Sequence, residues 1–96
     1  MAKFDYVIVG AGSAGCVLAN RLSENPNLSI CLIEAGGSDW SPFIHIPAGW
    51  ASNFNNPSVD WGYHTAPEIE LNVRKFFWPR GKVLGGSSAI NGMIYI

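Results

Sequence analysis

The feature that most constrains this chain is a six-residue turn, Gly10-Ala11-Gly12-Ser13-Ala14-Gly15, set between an apolar run and an amphipathic one. The run before it, Phe4 to Val9, reads Phe-Asp-Tyr-Val-Ile-Val, and its length and glycine stop suit a β-strand buried on both faces. From Ser13 the apolar period lengthens. Ala14, Val17, Leu18 and Leu22 fall on one helix face, while Asn20, Arg21 and Glu24 lie off it. Pro26 disfavours helical geometry in its predecessor, so the helix should stop near Ser23 to Asn25. Leu28 to Glu34 then reads as a second buried strand. Strand, helix and strand across residues 4–34 make a βαβ unit, which requires a parallel pair and a right-handed crossover.

The turn has the GxGxxG spacing, in the place where that spacing carries chemistry. Gly10 permits the tight turn, Gly12 admits a pyrophosphate to the backbone, and Gly15 lets the helix lie against the strand. The N–H groups at the start of the helix, around Ser13 and Ala14, form with the helix dipole a site for phosphates. Glu34 stands at the end of the second strand, with Ala35 beside it. A carboxylate there accepts hydrogen bonds from a ribose diol and repels a 2′-phosphate, which argues against NADP. The expected fold class is therefore α/β, a Rossmann-like βαβ dinucleotide-binding domain. This unit alone does not separate NAD from FAD, because both carry the adenosine diphosphate that it reads.

The residues after Glu34 separate them. An NAD-binding domain continues with another strand–helix repeat, whereas here residues 38–75 form an irregular excursion rich in Gly, Pro, Asn, Ser and Trp. Loops of that length are uncommon and usually functional. A second glycine motif occupies residues 78–96, Trp-Pro-Arg-Gly-Lys-Val-Leu-Gly-Gly-Ser-Ser-Ala-Ile-Asn-Gly-Met-Ile-Tyr-Ile. Its paired glycines, Gly85 and Gly86, allow close backbone approach. Ser87 and Ser88 should open a short helix whose N–H groups and hydroxyls can meet phosphate or sugar oxygens.

In these residues the chain resembles the glucose–methanol–choline (GMC) oxidoreductases. Arg80-Gly-Lys-x-Leu-Gly-Gly-Ser-Ser-x-Ile-Asn91 looks like the first signature of that family. Asp5-Tyr-Val-Ile-Val-Gly-Ala-Gly-Ser-Ala-Gly, Leu32-Ile-Glu-Ala-Gly-Gly37 and Asp60-Trp61-Gly-Tyr match it too. The likeness runs from Phe4 to Ile96 and is nearest to the bacterial alcohol and choline dehydrogenase branch. It implies that Gly10, Gly12, Ser13, Ala14 and Gly15 bind the FAD pyrophosphate, and that Glu34, with Ala35, serves the adenosine ribose. It also implies that Trp61, Gly81, Val83, Gly86 and Ser87 lie along the cofactor, and that Asn91, Gly92, Met93 and Ile94 approach the flavin ring. Some relatives attach FAD through a histidine one residue before the equivalent of Asn91. Here that residue is Ile90, so non-covalent FAD is expected.

The resemblance further implies an enzyme that oxidises the CH–OH group of an alcohol, passing hydride to flavin N5 while a histidine takes the hydroxyl proton. That histidine lies far downstream in the family's much longer chains. His45 and His64 are the only histidines here, both in the irregular region and expected at the surface or against the cofactor shell. The chain therefore reads as an incomplete, N-terminal part of an FAD-binding domain, inactive alone, with the substrate domain absent. Its expected partners are FAD, the remainder of the polypeptide and, in the full-length enzyme, an alcohol. The alternatives are an NAD-dependent dehydrogenase fragment and a non-catalytic nucleotide-binding module.

Composition narrows the rest. Hydrophobic residues make up 48% and charged residues 14% of the chain, against about 25% charged in an ordinary domain. So apolar a surface anticipates protein contacts beyond these residues. The net charge of −1 and the lack of a long basic run give no support to nucleic-acid binding. No stretch reaches the length of a membrane span, and no signal peptide is evident. A cytoplasmic location is expected, peripheral to the inner membrane only if a quinone is the electron acceptor. Cys16 and Cys31 lack metal-ligand spacing and read as buried, reduced thiols. The four tryptophans read as packing residues, and Asp39, Asp60, Glu68 and Glu70 as solvated.

Overall fold

The computed structural model describes residues Met1–Ile96. The apolar run becomes β1 (Tyr6–Val9), the amphipathic run α1 (Ser13–Leu22) and the second apolar run β2 (Ile30–Ile33). β1 and β2 pair in parallel, Tyr6 opposite Ile30 through Val9 opposite Ile33, as the βαβ reading requires. Both strands are shorter than the apolar runs, and just before them Asp5 is tied to Ser29. Its carboxylate accepts the N–H (2.8 Å) and the hydroxyl (2.7 Å) of Ser29. This side-chain clamp adds to the backbone bond there, in which Asp5 N–H donates to Ser29 O (3.0 Å).

α1 stops where Pro26 is expected to stop it, with Ser23 N–H donating to the Ala19 carbonyl. Its packed face differs from the predicted one. Gly15 is buried and Ala19 and Leu22 are half-buried, whereas Ala14, Val17 and Leu18 are exposed. The cause is the close approach at Gly15, where a Cβ would run into the Gly10 carbonyl. That contact turns the helix so that its glycine side faces the sheet.

The excursion is irregular but contains short elements: α2 (Pro42–His45), a 3₁₀ helix over Pro47–Asn53, β3 (Tyr63–His64), a 3₁₀ turn over Ile69–Leu71 and β4 (Phe77–Trp78). β3 and β4 pair antiparallel, with Tyr63 opposite Trp78. The second glycine motif contains α3 (Ser87–Ile90), the short helix expected from its serines.

The core lies between the excursion and the second motif rather than under the βαβ unit. Val59, Val83 and Ile90 are buried together, with Ile44 and Ala89 packed against them. The strands expected to be buried on both faces are not: Val7, Leu32 and Ile33 are exposed and Val9 is 83% exposed. One helix cannot cover two faces of a sheet. Cys16 is likewise exposed and Cys31 partly so, both as free thiols, and Trp40 and Trp78 stand in the open rather than in packing positions.

The dimensions carry the same message. The radius of gyration is 16.6 Å, where a compact chain of this length would have about 12.5 Å. The accessible surface is 7169 Å², about a third more than the roughly 5,400 Å² of a globular protein of this mass. No helix is long and apolar enough to cross a membrane.

Candidate dinucleotide site

The two glycine motifs, far apart in sequence, meet in space. Gly85 N–H donates to the Ala11 carbonyl (2.8 Å) and Leu84 N–H to the Gly37 carbonyl (2.9 Å). Gly37 and Val83 form a parallel bridge, and a Cβ on Gly36 would collide with the Lys82–Val83 peptide. At the centre Gly86, at φ +61°, faces Gly12: a Cβ on Gly86 would lie 2.9 Å from the Gly12 α-carbon. Only glycine fits there, for space and for backbone angle.

The first turn is open toward a ligand. Gly12 caps α1 without a side chain, and the N–H groups of Gly12, Ser13, Ala14 and Gly15 find no acceptor in the chain. Where a Cβ on Gly12 would sit there is open space. Four unpaired N–H groups at the positive end of a helix of ten residues suit an anion. The residues therefore fit a pyrophosphate.

Glu34 does more than its position at the strand end suggests. One carboxylate oxygen accepts the Ala11 N–H (2.7 Å) and the other the Gly36 N–H (2.9 Å). These bonds, the one from Gly36 first and that from Ala11 second, hold the carboxyl below the ordinary 4.5, against the opposing effect of burial. Glu34 thus braces the glycine turn to the end of β2 and keeps spare lone pairs for a ligand hydroxyl. Ala35 lies exposed beside it.

In the second motif both serine hydroxyls brace the turn. Ser87 Oγ accepts the Gly81 N–H (3.1 Å) and Ser88 Oγ donates to the Gly85 carbonyl (2.6 Å). The Ser87 hydroxyl proton is left for another acceptor. Val83, expected along the cofactor, is fully buried and its side chain belongs to the core. Asn91 spends its amide locally, donating to Ser88 O (3.1 Å) and accepting from Met93 N–H (2.8 Å), which holds Met93 at φ +52°. Gly92 lies against the Trp50 ring, while Met93 and Ile94 are exposed. A cavity of about 250 Å³ opens beside α3, with Phe54, Arg80, Ser87, Ile90, Asn91 and Gly92 in its wall.

Trp61 stands partly exposed, stacked on Tyr63 (5.8 Å, 5° between planes) with the Lys82 ammonium 4.7 Å above its ring. With Asn55, Pro57, Asp60 and Gly62 it borders a second cavity of about 310 Å³.

Asp60 is the residue that sequence reasoning missed. Expected in solvent, it is buried, and its carboxylate accepts N–H groups from Asn55 (2.8 Å), Gly62 (3.0 Å) and Arg80 (3.0 Å). Desolvation acts to raise its pKa, but the bonds from Gly62, Arg80 and Asn55 outweigh it and leave the group below the ordinary 3.8. The signal available in the sequence was Asp60-Trp61-Gly62 itself, an aspartate two residues before a glycine in a turn setting.

His45 and His64 are exposed, the first of the two settings expected for them. His45 Nε2 lies 2.6 Å from the Asp39 carbonyl oxygen, and neither histidine borders either cavity. No group of three or more His, Cys, Asp or Glu side chains is arranged to hold a metal ion.

Comparison with known proteins agrees with this arrangement. The family model described as GMC oxidoreductase matches residues 4–96. The chain is 59% identical over 93 residues to an alcohol dehydrogenase [acceptor] of Pseudomonas putida and 55% identical over 93 residues to an oxygen-dependent choline dehydrogenase of Vibrio vulnificus. Each alignment covers 97% of this chain and 17% of the relative. Among solved structures, pyridoxine 4-oxidase from Mesorbium loti superposes with a TM-score of 0.90 at 44% identity, over 98% of this chain and 18% of that one. The chain thus spans about a sixth of the length of these relatives. With its two glycine turns joined at Gly12 and Gly86, the chain belongs to the GMC oxidoreductase family of FAD-binding flavoproteins.

Proposed function

We propose that this chain is the N-terminal part of the FAD-binding domain of an oxidoreductase acting on the CH–OH group of an alcohol. The observation that carries this reading is the junction of the two glycine turns at Gly12 and Gly86, beside four free N–H groups at the start of α1. An NAD-binding domain would use the first turn and has no need of the second.

In this reading the N–H groups of Gly12 to Gly15 bind the pyrophosphate, and Glu34 accepts from the ribose while bracing the turn. Trp61 and the 81–87 segment flank the cofactor, and residues 91–94 border its flavin end. When bound, FAD supplies the two-electron acceptor for oxidation of the alcohol to a carbonyl compound. Ile90, buried in the core, offers no nucleophile for attachment, which supports non-covalent binding. Neither histidine in the chain is placed to take the substrate proton, so that group belongs to another part of the polypeptide, as does the substrate domain.

Anaerobic addition of a primary alcohol to the FAD-loaded full-length protein tests the reading. Bleaching of the flavin band is expected. A flavin that stays oxidised across a panel of alcohols, choline included, would contradict it.

A further inference from the structure

Asp60 is a carboxylate without a cation. It is 2% exposed and joins no ion pair, yet three backbone N–H groups from separate stretches converge on it. Two of them, from Asn55 and Gly62, shape the loop that carries Trp61. The third, from Arg80, belongs to the strand-like segment that leads into the second glycine turn. Around this carboxylate the two stretches pair: Trp61 N–H donates to Arg80 O (2.9 Å), Lys82 N–H donates to Val59 O (2.7 Å), and Asp60 bridges to Gly81.

The consequence runs onward through contacts with little freedom. A Cβ on Gly81 would strike the Gly86–Ser87 peptide, and Gly81 N–H is held by Ser87 Oγ. Gly86 in turn abuts Gly12. Asp60 also lines one cavity itself and holds the backbone of Arg80, which lines the other. Neutral side chains serve poorly here, since an amide presents only one acceptor oxygen to three donors.

We propose that Asp60 is a positioning residue for the FAD site: by gathering the N–H groups of Asn55, Gly62 and Arg80, its carboxylate holds Trp61 and the second glycine turn in register with the first. This rests on the FAD reading above and adds to it a residue that need not touch the cofactor.

The test compares Asp60→Asn with Asp5→Asn in the full-length protein. Asp5 is a carboxylate clamp of the same kind, on Ser29, at the end of the βαβ unit away from the glycine turn. FAD affinity and the visible circular dichroism of bound flavin are read for each. Asp60→Asn is expected to weaken FAD binding at least tenfold and to change the flavin dichroism at saturating FAD, while Asp5→Asn changes neither. Wild-type affinity and dichroism in Asp60→Asn, or equal losses in both variants, would overturn the proposal. If Asp60→Asn does not fold, amide hydrogen exchange on the wild-type protein decides. Exchange at Asn55, Gly62 and Arg80 should slow at least tenfold on FAD loading, in step with residues 81–87, and no slowing would overturn the proposal. Wild-type protein that takes up no FAD would instead overturn the FAD reading and this inference together.

Discussion

Gly86 faces Gly12 so closely that a methyl group on Gly86 would stand 2.9 Å from the Gly12 α-carbon. That contact joins glycines 74 positions apart in sequence. It leaves open space where a Cβ on Gly12 would sit, and the N–H groups of Gly12 to Gly15 remain unpaired.

Gly86→Ala should therefore force the turns apart, and its backbone angle of +61° adds strain. Local strain of this kind costs roughly 1–3 kcal/mol. FAD affinity should fall tenfold or more, about 1.4 kcal/mol of binding energy. Gly37→Ala, whose Cβ would meet nothing within 4 Å, should leave affinity within about threefold, or 0.7 kcal/mol. Fluorescence titration of FAD checks both, and equal affinities in the two variants would contradict the contact.

Glu34→Gln removes one of two oxygens that each accept a backbone N–H, and sets an amide donor against another donor. An unsatisfied group of this kind costs about 1–3 kcal/mol. Urea unfolding of the full-length protein should show a loss in that range, with weaker FAD binding alongside. An unchanged urea midpoint would mean that the brace does not hold the turn.

The acid limit of stability rests on the same carboxylates. Asp5, Glu34 and Asp60 all titrate below their ordinary values in the folded chain. Groups with depressed folded values stabilise fully above their unfolded pKa and lose that contribution as pH falls through the folded one. Stability should thus be insensitive to these groups at neutral pH and decline below roughly pH 4. Asp60→Asn should flatten the decline, seen as urea midpoints against pH. An acid limb identical to wild type would contradict the role of Asp60 in it.

Much of the fold and the site is legible in the sequence, and the parts that are not have a common cause. Spacing alone places the βαβ unit, the end of α1 before Pro26 and the helix opened by Ser87, because each rests on neighbours within a few residues. Burial is misjudged at Val9, Val17, Leu18 and Cys16, since an apolar side chain records what it prefers to touch and not whether this chain supplies it. Asp60 is misjudged for the converse reason. Its three partners come from positions 55, 62 and 80; the Asp60-Trp61-Gly62 turn hints at the second of them, and nothing near Asp60 in sequence marks the bond from Arg80.

The same exposure bears on residues 1–96 as an isolated polypeptide. Two strands with uncovered faces and a core of Val59, Val83 and Ile90 are too little apolar burial to offset the chain's conformational entropy. Urea titration in dilute solution should give a broad, weakly cooperative transition, or association detected by sedimentation. A sharp transition in a monomer would contradict this.

The most direct test of the central claim, that the joined glycine turns form a non-covalent FAD site, is the visible spectrum of the full-length protein before and after acid precipitation. A bound-flavin spectrum whose colour passes entirely into the supernatant is the predicted result. Colour kept in the pellet would contradict the inference from Ile90, and a colourless protein that takes up no added FAD would contradict the site itself.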